Sequence, residues 1–197
     1  MCKFSPTLFA IAVAIFTAVG LFGGWGHAAE PSGRMRVTVT GQGPDVILIP
    51  GLASSGAVWD GTVKALSATH RVHVVQVAGF AGAPVAGNAE GPIVEPLVEA
   101  INGYIVSARL KSPAVIGHSM GGFTGLLLAQ RHPDHVGRLL VVDSLPFFSA
   151  LMSPTATVES VRPQAAAMRD AIAAMDAATF ESQQAMTLPR MVSRPRV

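Results

Sequence analysis

The sequence predicts an α/β protein: a mostly parallel sheet with helices on its faces, followed by a helical segment without strands. Three observations carry this. Asp45-Val-Ile-Leu-Ile-Pro50 and Val136 to Val142 are nearly continuous apolar runs of strand length, as strands covered on both faces require. Between Met35 and Asp143 such runs alternate with helical periodicity, the order that right-handed βαβ units produce. After Leu145 two helical patterns follow one another with nothing strand-like between them.

In chain order, the N-terminus reads as an export signal. Lys3 gives a positive start, Leu8 to Phe22 runs without a charge, and Gly26-His-Ala-Ala29 offers small residues at a cut site after Ala28 or Ala29. The rival is a retained membrane anchor, for which the apolar run is short against a span of about 20 residues. The expected product is periplasmic or secreted and free of the membrane. Met35 to Thr40 alternates as a strand, and Gly41-Gln-Gly-Pro44 turns the chain into the Asp45 strand. Pro50-Gly51-Leu52-Ala53-Ser54-Ser55-Gly56 then interrupts, and Trp59, Val63 and Leu66 follow at helical spacing. Arg71 to Val77 is the next strand, closing in Gly79-Phe80-Ala81-Gly82, and a Gly/Ala/Pro-rich connection runs to Pro92. Ile93, Leu97, Ile101 and Ile105 mark an amphipathic helix.

The next strand candidate enters Gly117-His118-Ser119-Met120-Gly121-Gly122, and a helical run from Phe123 to Arg131 follows. Strand, tight turn and helix with serine at the apex is the sequence form of a nucleophile elbow. The apex residue is forced into a strained backbone, so the flanking positions tolerate almost no side chain. The hydroxyl then sits near a helix N-terminus, whose amides favour developing negative charge. His132-Pro133 ends the helix. Val136 to Val142 is the last strand, stopping at Asp143-Ser144, and Val161 to Met175 and Ala178 to Thr187 read as two helices laid over the sheet. The expected division is 1–29 signal, 34–145 core, 146–190 helical cap and 191–197 tail.

Composition narrows the function. Half of the 197 residues are hydrophobic and the formal charge is only +2, without a dense basic cluster, so nothing points to nucleic acid. The single cysteine, Cys2, lies in the expected signal, which removes disulfides, thiolate metal sites and cysteine nucleophiles from the mature chain. No spacing of His, Asp and Glu resembles a ligand set, so neither a metal nor a cofactor is expected.

Three landmarks occur in order, each after a strand: Ile49-Pro50-Gly51-Leu52, Gly79-Phe80-Ala81-Gly82 and Gly117-His118-Ser119-Met120-Gly121-Gly122. In these the chain resembles an α/β-hydrolase of the exported kind, over about Val37 to Asp143. The resemblance implies Ser119 as nucleophile and the backbone N–H groups of Met120 and Leu52 as the oxyanion hole, with Ala53 the alternative to Leu52. It implies hydrolysis of a small-molecule carboxylic ester or related acyl bond. Pro50 stands where histidine is frequent in the family, which matters little when the donor is a backbone amide.

The family order is Ser, then Asp or Glu, then His. The histidines are His27, His70, His73, His118, His132 and His135, and none lies beyond the last strand. His118 adjoins Ser119 but should project away from it. His132 and His135 lie at the far end of the elbow helix, over about 10 Å from Ser119 at 1.5 Å per residue. His70 and His73 border the opposite edge of the sheet. Asp143 ends a strand at the catalytic edge and is the candidate acid, or else a loop cap. The expectation is therefore a C-terminally truncated hydrolase with its last strands and its base missing, weakly active or inactive, and prone to self-association through an exposed edge at Arg138 to Val142. Two alternatives remain: a non-catalytic module holding an apolar ligand among Met168, Met175, Phe180 and Met186, and a protein completed by a partner chain.

Overall fold

The computed structural model describes residues 26–29 and 32–191. Six strands form one sheet: β1 (Gly26–Ala29), β2 (Met35–Thr40), β3 (Asp45–Ile49), β4 (Arg71–Val77), β5 (Ala114–His118) and β6 (Arg138–Val142). Their order across the sheet is β1-β2-β4-β3-β5-β6. The β4-β3-β5-β6 block is parallel, and β1 and β2 are antiparallel additions at one margin. The helices are α1 (Asp60–Leu66), α2 (Val94–Ser107), α3 (Met120–Arg131), α4 (Ser149–Met152), α5 (Val158–Ala173) and α6 (Ala177–Met191). Among the described residues no helix is long and apolar enough to cross a membrane.

Strand alternation divides the core between the two faces. Ile47, Ile49, Val75, Val77, Val37 and Val115 point to the side covered by α2 and α3, where Leu97, Ile101, Ile105 and Leu128 meet them. Val46, Leu48 and Val72 point to the other side, against Trp59, Val63 and Leu66 from α1 and the 3₁₀ turn before it. Both faces of β3 are therefore buried, which is why its sequence is continuously apolar. α1 is short and does not reach β6, so Leu140 and Val142 remain 55% and 37% exposed on that face.

The structure departs from the sequence expectation in several places, of which three bear on the site and its surroundings. The sheet starts earlier than the expected core at 34, because Gly26–Ala29 pairs antiparallel with Arg36–Val39. The same four residues were expected to close the export signal, so a cut after Ala28 or Ala29 would take away the marginal strand; the apolar run before them lies outside the described residues. The elbow helix starts at Met120 rather than Phe123, since the glycines that obscure the helical pattern are themselves helical. Finally, α5, in the expected cap, buries no side chain against the sheet. No residue of α5 is buried, and Met168, Ile172 and Phe180 are exposed. α5 is held locally instead, by a capping box between Thr157 and Ser160.

Candidate active site

Ser119 stands at the turn between β5 and α3 with φ 51° and ψ −119°. A non-glycine residue there carries backbone strain of about 1–3 kcal/mol, which the surroundings must hold. They hold it by close backbone packing. A Cβ on Gly117 would collide with the backbone of Gly121 and Gly122, and a Cβ on Gly121 with the carbonyls of Ile49 and Pro50. A Cβ on Gly122 would lie 2.8 Å from that of Ser144. The amide of Ser119 donates to the carbonyl of Val142 at 2.9 Å, tying the turn to the end of β6. The side chain of Ser119 has no hydrogen-bond partner among the described residues.

Beside the turn runs the loop that leaves β3. Gly51 is the point of approach: a Cβ there would lie 3.4 Å from that of Ser119 and 3.0 Å from Nδ1 of His118. The next residues bend sharply, with Ala53 at φ 56° and the amide of Ser54 donating to the carbonyl of Gly51 at 3.2 Å. The side chain of Leu52 is 66% exposed. Met120 opens α3, so its N–H is among the first-turn donors that no intrahelical carbonyl can take. The two amides expected to act as oxyanion donors thus belong to the two segments that meet at Ser119. Ala53 lies on the same loop.

Asp143 follows β6 at φ 48°, is exposed, and has no hydrogen-bond partner among the described residues. Among the described residues neither a loop-capping hydrogen bond nor a histidine partner is seen at this carboxylate.

The histidines are engaged elsewhere. His118 packs beside Gly51. His132 Nε2 lies 3.0 Å from a Glu99 carboxylate oxygen and His135 Nδ1 2.6 Å from Asn102 Oδ1, both against α2. His70 pairs with Thr69, and of His27 only the strand backbone is described. His73 is buried between Asp45 Oδ1 at 2.9 Å and Tyr104 Oη at 2.7 Å, at the edge of the sheet opposite Ser119. A carboxylate only accepts, so His73 carries its proton on Nε2 and its Nδ1 accepts from the tyrosine. Burial pushes the His73 pKa down and that of Tyr104 up to about 12. Burial also works against the Asp45 charge, but hydrogen bonds and charge from Arg71 and His73 outweigh it and hold that carboxyl below its ordinary value. Arg71 completes the cluster with two hydrogen bonds to Asp45, at 2.6 and 3.1 Å. Sequence reading missed this cluster, although a histidine inside an apolar strand was a signal for it.

Of the residues named for the apolar-ligand alternative, Met168 and Met186 are 66% and 62% exposed. A cavity of about 580 Å³ lies elsewhere, between α1 and the outer face of β2 and β4, with Arg36, Lys64, Val63 and Gln76 in its walls. Among the described residues no group of three or more His, Cys, Asp or Glu is placed to hold a metal.

Comparison with known proteins agrees with this architecture. A family model described as the alpha/beta hydrolase fold matches residues 44–196. A pimeloyl-[acyl-carrier protein] methyl ester esterase of Aeromonas hydrophila is 39% identical over 111 residues, which cover 56% of this chain and 41% of that protein. The protein of the same name from Vibrio atlanticus is 37% identical over 116 residues, covering 59% and 42%. This chain matches about two-fifths of the length of these curated relatives. Among solved structures, a hydrolase from Pseudomonas aeruginosa superposes with a TM-score of 0.56 at 19% identity, over 72% of this chain and 58% of that one.

Proposed function

Because the chain belongs to the alpha/beta hydrolase fold family, we propose that it is a serine hydrolase of carboxylic esters in which Ser119 is the nucleophile. The observation that carries this is the strained backbone of Ser119 at a strand-to-helix turn, with the Gly51 loop packed against it. In the proposed reaction the Ser119 oxygen adds to the ester carbonyl, and the negative charge on the carbonyl oxygen is met by the amides of Met120 and Leu52. Collapse of that adduct expels the alcohol and leaves an acyl-serine, which water hydrolyses. Such donors each contribute about a hundredfold or more to rate, because they stand where the charge develops. The names of the two esterase relatives favour a methyl ester on an acyl chain as the substrate class.

The proton on Ser119 needs a base. None of the described histidine side chains is placed as one, and Asp143 has none to orient. The 197-residue chain is therefore expected to turn over an activated aryl ester slowly, with external imidazole raising the rate. With imidazole as external base, a fluorophosphonate probe is expected to label the chain at Ser119, and Ser119→Ala to abolish labelling, as read by mass spectrometry of the digested protein. Labelling that persists at another residue in Ser119→Ala, or ester turnover indifferent to that substitution, rejects the assignment.

A further inference from the structure

We infer that Gln76 is a positioning residue that sets the loop carrying Leu52; the inference rests on the reading of Ser119 and Leu52 proposed above. Gln76 interrupts the apolar end of β4, and its side chain is fully used. Its Oε1 accepts from the amide of Gly56 at 2.8 Å, and its Nε2 donates to the carbonyls of Val77 and Phe80 at 3.1 and 3.2 Å. One side chain thus ties the loop after β3 to the loop after β4 at the edge of the sheet that holds Ser119.

The stretch from Gly51 to Gly56 is clamped at both ends. At one end Gly51 lies against His118 and Ser119. At the other, a Cβ on Gly56 would come within 2.9 Å of Val74 Cγ1, so the backbone sits directly on β4. Between the clamps, the Ser54 amide reaches the Gly51 carbonyl and the Ser55 hydroxyl accepts from the Ala57 amide at 3.2 Å. With Gly51 held at one end and the middle hydrogen-bonded, the far end of the loop is set by the seat of Gly56 on Val74 together with the bond from its amide to Gln76. An oxyanion donor works only within about 2.7–3.1 Å of the charge it meets. A small slip at Gly56 therefore misplaces the Leu52 amide, although Gln76 itself touches no substrate.

The test measures how the rate of fluorophosphonate labelling at Ser119 saturates with probe concentration, in the presence of imidazole as external base. Gln76→Met, of similar length without the hydrogen bonds, is expected to lower the maximal rate about tenfold or more, with the half-saturating concentration unchanged. Gln76→Glu, which keeps an acceptor opposite the Gly56 amide but turns a carboxylate oxygen toward the carbonyls of Val77 and Phe80, is expected to be slowed as well. An unchanged maximal rate in Gln76→Met overturns the inference alone. So does a loss confined to the half-saturating concentration, or a Gln76→Glu chain as fast as the parent. A parent chain that never labels at Ser119 overturns the reading of the site, and this inference with it. Hydrogen exchange in the parent needs no variant: the Gly56 amide is expected to exchange more slowly than that of Leu52, and fast exchange at Gly56 removes the clamp.

Discussion

At the scale of single residues, the features around Ser119 are steric, and those around His73 are electrostatic. Gly121 has the backbone of Ile49 and Pro50 where its side chain would be. Gly121→Ala is therefore expected to cost about 3 kcal/mol through forced backbone displacement, measured as a lower urea midpoint. Tyr104→Phe leaves the buried Nδ1 of His73 without a donor, an expected cost of about 1–3 kcal/mol. The same cluster gives stability a pH dependence of known sign. The folded pKa of His73 is lowered, so below the ordinary histidine value the unfolded chain binds a proton that the folded chain resists. Stability should fall as pH drops from about 7 to about 5, and His73→Gln should flatten that part of the curve. The groups facing His73 are Asp45, Arg71 and Tyr104. Asp45, also lowered, adds a further loss in the same direction at more acid pH, as its own carboxylate range is crossed.

At the scale of elements, legibility followed the physics of burial. β2 and β4 could be read to the residue, because one alternates and the other is an apolar run closed by Gly79. The parallel strands showed themselves by being apolar on both faces. β1 was hidden, because small residues in a signal-like stretch have no pattern that separates a cut site from a marginal strand. Of the site, Ser119 and the glycines around it were legible, since only glycine tolerates such approaches. The role of Gln76 was not, because it depends on two loops that meet only after folding. The lack of packing under α5 was equally invisible, as a helical pattern records a face and not its partner. β6 is the outermost parallel strand among the described residues, and with Leu140 and Val142 exposed it is expected to act as a template for pairing. Concentration-dependent self-association is expected by light scattering, and Leu140→Lys should reduce it. Unchanged scattering in that variant would exonerate the strand.

At the scale of the molecule, the strongest packing and the proposed chemistry occupy different regions. The core lies where β2, β4, β3 and β5 are sandwiched between α1 on one side and α2 with α3 on the other. Ser119 sits at the last parallel step of the described sheet, and α4 and α5 contribute no buried side chain to its surroundings. The amide of Ser119 is fastened to the carbonyl of Val142, the final residue of the strand with least cover. The turn proposed to carry the nucleophile is thus joined to a strand with two exposed apolar side chains. A chain paired along that strand is expected to bear on Ser119 through this bond and the β5–β6 ladder, so occupancy of the outer strand and reactivity of the serine should rise and fall together.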